Sequence, residues 1–89
     1  MSVAASRYTV TTTAAAAYTA PGEQQVVTVK NPPTASASIY VGGPGVTTAA
    51  GYELTPGETV TVTMYASQEL HAIIAASTQE IQIIASTDV

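Results

Sequence analysis

The chain contains no cysteine, tryptophan or phenylalanine, and among its 89 residues only two are basic and one is histidine. Each scarcity closes a class of function. Without cysteine there is neither a disulfide staple nor a thiolate metal site. Arg7 and Lys30, the only cations, stand against six acidic residues for a net charge of −4. Two cations cannot neutralise a phosphate track, so nucleic acid is not an expected partner. One His, one Asp and scattered Glu residues do not supply three or four clustered ligands, so no metal or cofactor is expected. Met1-Ser-Val-Ala-Ala-Ser-Arg7 lacks a charged stretch followed by an apolar one, and no run of 18 apolar residues exists. Neither a cleavable signal nor a membrane span is therefore expected.

Ala and Thr fill about a third of the chain, 46% of residues are hydrophobic and mean hydropathy is +0.25, while charged residues make up only 9% against about 25% in ordinary domains. That balance favours folding over disorder. A single domain of this size buries about 60 to 65% of its unfolded surface. Its core is small, and a partner surface or a second subunit is the expected source of extra stability.

The patterning is that of strands. Five stretches, Val26 to Asn31, Ala37 to Gly42, Glu58 to Tyr65, Leu70 to Ala76 and Ile81 to Ser86, have β character and are bounded by turn residues. Short pieces at Val46 to Thr48 and Tyr52 to Leu54 suggest one further hairpin. In Glu58 to Tyr65, Val60, Val62 and Met64 alternate with Thr59, Thr61 and Thr63, as in a strand with one buried face. Thr55-Pro56-Gly57-Glu58 places Pro and Gly where a type II turn requires them. The fold class is therefore all-β: a small antiparallel β-sandwich or barrel. Residues 1 to 24 read as an extended N-terminal arm and linker, nearly uncharged and closed by Ala20-Pro21-Gly22, and residues 25 to 89 as the sandwich domain. Tyr8 and Val10 alternate with Arg7, Thr9 and Thr11 in a strand pattern, and Thr11-Thr12-Thr13 argues for extended chain despite the helical propensity of Ala14 to Ala17.

Few residues invite chemistry, and each has a plainer role. Glu58, Glu69 and Glu80 each open a strand, and in a simple meander Glu69 sits across the sheet from the other two, so the three read as solvated strand-end charges. His71 has no Gly-x-Ser-x-Gly partner motif and reads as a packed or interface histidine. Gly42-Gly43-Pro44-Gly45 is followed by neither Lys nor a helix start, so it is a turn rather than a phosphate loop. Leu70, Ala72 and Ile74 are backed by Ile73, and Ile81 and Ile83 by Ile84. Apolarity on both faces means either a central strand between two layers or a face that meets another chain; in a domain this small the second is expected, as a subunit contact at Tyr40, Tyr65, His71, Ile73 and Ile84.

The short uncharged segment, Val26-Val-Thr-Val-Lys-Asn, Ile39-Tyr-Val-Gly-Gly and Gly51-Tyr-Glu-Leu-Thr-Pro-Gly-Glu58 together resemble small β-sandwich proteins of tailed-phage particles, above all head decoration proteins. The resemblance spans residues 25 to 86 and implies a non-enzymatic virion protein on the outer capsid surface. Such proteins bind the major capsid protein, reinforce the shell and commonly form homotrimers. It also implies an arm that attaches to the shell, through Arg7, Tyr8, Val10 and Tyr18. A tail or fibre module that stacks host-surface carbohydrate on Tyr40, Tyr52 or Tyr65 is the alternative.

Overall fold

The computed structural model describes residues 3–22 and 24–87. Eight strands run in chain order: β1 (Val3–Val10), β2 (Ala15–Thr19), β3 (Gln25–Lys30), β4 (Ile39–Gly42), β5 (Tyr52–Leu54), β6 (Thr59–Met64), β7 (Glu69–Ile74) and β8 (Gln79–Thr87). The described residues contain no helix. The strands form two four-stranded sheets, ordered β1-β8-β3-β6 and β2-β7-β4-β5, in which every pairing is antiparallel. Only the β4–β5 connection joins neighbours within a sheet, and each of the others crosses from one sheet to the other. Eight strands alternating in this order between two sheets make a jelly roll. Principal extents of 37 × 26 × 16 Å describe a thin slab, the shape of two sheets stacked about 10 Å apart.

Alternation in the sequence decides which side chains enter the slab. In the first sheet, Val27 lies between Val62 and Ala85, and Val29 between Val60 and Ile83. In the second, Ile39 lies between Leu54 and Ile74, and Val41 beside Ala72. Val27, Val29, Ile39 and Ile81 are fully buried. The inward face inferred for Val60, Val62 and Met64 is the observed one, with Thr59, Thr61 and Thr63 exposed.

The described part of the expected arm, residues 3–22 and 24, is built into the sandwich rather than extended from it. β1 pairs with β8 along its whole length, Tyr8 opposite Ile81 and Val10 opposite Gln79. β2 pairs with β7, with a bulge between Ala16 and Tyr18. Residues 3–20 thus give one edge strand to each sheet, and Val10 and Ala20 belong to the core. The sequence conceals this because the segment is rich in Ala, a weak strand former, and carries almost no charge pattern. Pairing with an Ile-rich partner late in the chain supplies what local propensity lacks. Hydrogen bonds from Ala20 N to Gln68 O (2.9 Å) and from Ser67 N to Ala20 O (3.1 Å) fasten the end of this segment to the turn between β6 and β7. The strand expected at Val46 to Thr48 is also absent. Val46 N donates to Gly43 O at 3.1 Å, and the residues after it form turns.

Three local devices close the jelly roll. Asn31, fully buried, donates its side-chain amide to Ala37 O (3.0 Å) and Leu54 O (2.9 Å), while its backbone bonds Glu58 O and Gly57 N. One residue thereby ties the end of β3 to the approaches of β4 and β6. Gly57 has φ of 89°, as position i+2 of a type II turn demands, and Glu58 N closes the turn on Thr55 O at 2.9 Å. Gly51 is packed so closely that a Cβ there would meet Tyr40 Cβ and Val46 Cγ2, each at 2.8 Å.

Candidate interaction faces

Each sheet has one face turned to the core and one turned outward, and the two outward faces differ in chemistry. Cross-strand pairing places Arg7, Gln82, Lys30 and Thr59 in one row across the first sheet. The next row is Ala5, Ile84, Thr28 and Thr61, and the next Val3, Ser86, Val26 and Thr63. Thr28 and Thr61 share a hydroxyl hydrogen bond of 2.9 Å. Arg7 Nη1 meets Glu80 Oε1 at 3.0 Å. Lys30 has no ion-pair partner among the described residues. Ile84 is 47% exposed and Val3 63% exposed. A shallow depression runs between Ala5, Arg7, Thr28, Lys30, Thr59 and Ile84. Both cations of the chain therefore stand in one row of one face.

The outward face of the second sheet has no cation. Ala16, His71 and Gly42 form one row, and Ile73, Tyr40 and Glu53 another. Glu69 pairs across to Thr19. Tyr40 O–H reaches Glu53 Oε2 at a long 3.5 Å. His71 Nε2 meets Glu69 Oε1 at 2.9 Å, and its Nδ1 is buried without a hydrogen-bond partner among the described residues. The cross-strand neighbours of the ring are Ala16 and Gly42, neither of which carries a nucleophile.

The nine residues singled out in the sequence fall into four places. Of the four assigned to an arm, Val10 is fully buried, Tyr8 and Tyr18 pack against the core, and Arg7 alone is exposed. Tyr18 O–H donates to Gln25 Oε1, joining β2 of one sheet to β3 of the other. The arm set is therefore not a common binding patch. Val10 has its side chain committed to the interior. Of the five assigned to a subunit contact, Tyr40, His71 and Ile73 share the outer face of the second sheet, and Ile84 lies on the outer face of the first. Tyr65, 58% exposed, follows β6 in the turn where Ser67 takes a left-handed φ of 69°. The expected contact is thus two opposed faces rather than one.

The tyrosine rings considered for sugar stacking also part. Tyr52, opposite Val41, points to the other side of its sheet from Tyr40. Glu69 stands in the second sheet, away from Glu58 and Glu80, because β6 and β7 belong to different sheets and not because they meander within one. Hydrogen bonds from the Thr55 backbone N–H and side chain hold the Glu58 carboxyl below its ordinary 4.5. No group of three metal-ligating side chains occurs among the described residues. Sequence reasoning missed three residues: Lys30, whose only signal was the scarcity of cations, Glu53, and Asn31, flagged by nothing except Pro32-Pro33 after it.

The jelly-roll sandwich is the class this architecture defines, and comparison with known proteins adds one likeness to it. A solved structure described as "Bacillus endospore appendages form a novel family of disulfide-linked pili" matches 99% of this chain and 87% of its own, with a TM-score of 0.57 and 18% identity. At that identity the likeness shows the shared fold alone. No family model matches the chain, and no curated protein does.

Proposed function

We propose that this chain is a non-enzymatic structural subunit that acts in many copies within an ordered assembly, placed on the outer surface of a phage capsid and bound there to the major capsid protein. The observation that carries the reading is the pair of outer faces. Ile84 and Val3 on one, and Ile73 and Tyr40 on the other, stand among Thr, Ala and Gly, with Arg7, Lys30 and Glu80 on the first face and Glu53 and Glu69 on the second. Apolar patches of this kind mark contact surfaces, and a small core gains stability when they are covered. The capsid part rests on the resemblance of residues 25 to 86 to head decoration proteins.

The pilus likeness favours a second reading, a subunit of a fibre built from copies of this chain. Disulfide linkage of the kind named for those pili has no counterpart here, because the chain has no cysteine, so its contacts would be non-covalent. Quantitative mass spectrometry of purified particles from the source, with the major capsid protein as reference, tests the capsid reading. Hundreds of copies per shell support it. Absence from shells, with fibres of the purified chain in negative-stain images, overturns it in favour of the second reading.

A further inference from the structure

The two outer faces are opposite in charge and alike in their apolar spacing, and we infer that the outer face of the first sheet docks on the outer face of the second sheet of another copy of this chain. The inference rests on the reading of the chain as an assembly subunit and names the contact. It sets Ile84 of one copy against Ile73 and Tyr40 of the next, and Lys30 against Glu53.

The register supports the match. Lys30 stands one strand and two residues from Ile84, because Ile84 pairs with Thr28, which places their Cα atoms about 8 Å apart for strands about 4.8 Å apart with a rise of about 3.3 Å per residue. Glu53 pairs with Tyr40, and Tyr40 with Ile73, so Glu53 lies about 5 to 10 Å from the apolar pair. Each face therefore carries an apolar anchor with a charge beside it at comparable spacing. The signs are complementary.

Among the described residues, the other charges of the two faces are engaged within their own face and leave those two groups to the contact. Arg7 is engaged with Glu80, and Glu69 with His71. Lys30 has no ion-pair partner among the described residues, and Glu53 has only the long contact with the Tyr40 hydroxyl. Stacked on the same face of another copy, each face brings charges of its own sign together, Arg7 and Lys30 in one case and Glu53 and Glu69 in the other. Head-to-tail stacking removes that conflict, and such a heterologous contact repeats into a ring or an open filament. A four-stranded face measures about 20 Å on a side, so one contact is near the low end of specific interfaces and its association is weak and concentration-dependent.

The test uses the full chain, its Lys30→Glu variant and its Glu53→Lys variant, each checked for native circular dichroism, followed by sedimentation velocity at low and high salt. The wild type is expected to self-associate, more strongly at low salt. Each single variant should associate about tenfold more weakly or worse, because a like-charge pair replaces the attraction. An equimolar mixture of the two variants should recover association, since each supplies the face that the other has lost. Wild type and variants assembling equally, or a mixture no better than its components, would overturn this contact and leave the assembly reading standing. A wild type that stays monomeric at every concentration overturns the contact also, and the copy number in particles then decides the assembly reading separately.

Discussion

The first sheet is made of long strands and the second of short ones. β1 and β8 have eight and nine residues, while β4 and β5 have four and three. A long uninterrupted ladder such as β1 on β8, or β8 on β3, holds itself by its own hydrogen bonds and cross-strand pairs. The second sheet has a bulge in β2 and a three-residue edge strand. Its order depends on contacts from outside the ladder: the Asn31 amide on Leu54 O, the close approach at Gly51 and the Tyr18 to Gln25 hydrogen bond. Damage to the first sheet should therefore be graded along its ladder. Damage to the second should concentrate at a few fastening points.

The largest expected effect comes from removing residues 1 to 20, which takes an edge strand from each sheet and uncovers Ile81 and Leu70 together. The truncated chain should show no cooperative thermal transition by circular dichroism. A preserved transition would restore the idea of an arm outside a self-sufficient domain.

Asn31→Asp attacks the second sheet at its main fastening. It replaces two donated hydrogen bonds with a buried carboxylate facing the Ala37 and Leu54 carbonyls, at a cost of about 3 to 5 kcal/mol. Urea unfolding should register this loss. A cost near that of a surface substitution would show that the second sheet does not rely on this residue. Gly51→Ala should cost less, about 1 to 3 kcal/mol, because its Cβ must displace Tyr40 and Val46 side-chain atoms and the Thr47 carbonyl oxygen at 2.9 Å. The outer-face row containing Tyr40 should move with it, visible as amide shifts at Ile73 and Glu53.

What was legible in the sequence follows from the range over which each feature is determined. Alternation in Thr59 to Met64 and the Pro-Gly turn at Thr55 to Glu58 are local, and both read correctly. The all-β class follows from such patterns repeated along the chain. Which sheet each strand joins is not local. Tyr8 meets Ile81, and no pattern within Ser6 to Val10 announces a partner so far along the chain. The Ala-rich residues before Tyr18 have too little character to show that they form a strand, and only packing against β7 decides it. The proposed contact was legible in part. Ile73 and Ile84 stood out as apolar residues on the wrong side of their strands, but the division into two opposed faces needed the crossing topology, and the roles of Lys30 and Glu53 needed the register.

The smallest effect concerns the turn that leads from β5 in the second sheet to β6 in the first. Glu58 Oε1 accepts the Thr55 N–H at 2.8 Å, and these Thr55 hydrogen bonds depress the carboxyl from its ordinary 4.5. A group whose folded pKa lies below its unfolded one contributes stability that is present above the unfolded value and is lost as pH falls through the folded value. The acid side below 4.5 is thus where this turn should loosen, and neutral pH is where it is firm. The carboxylate is fully exposed, and solvent screening keeps the effect small. Glu58→Gln retains an acceptor for Thr55 N–H but does not titrate, so its melting temperature should change less than that of the wild type between neutral pH and the acid range. Equal acid sensitivity in the two proteins would locate the titrating group elsewhere and leave the turn to its backbone hydrogen bond and the left-handed Gly57 alone.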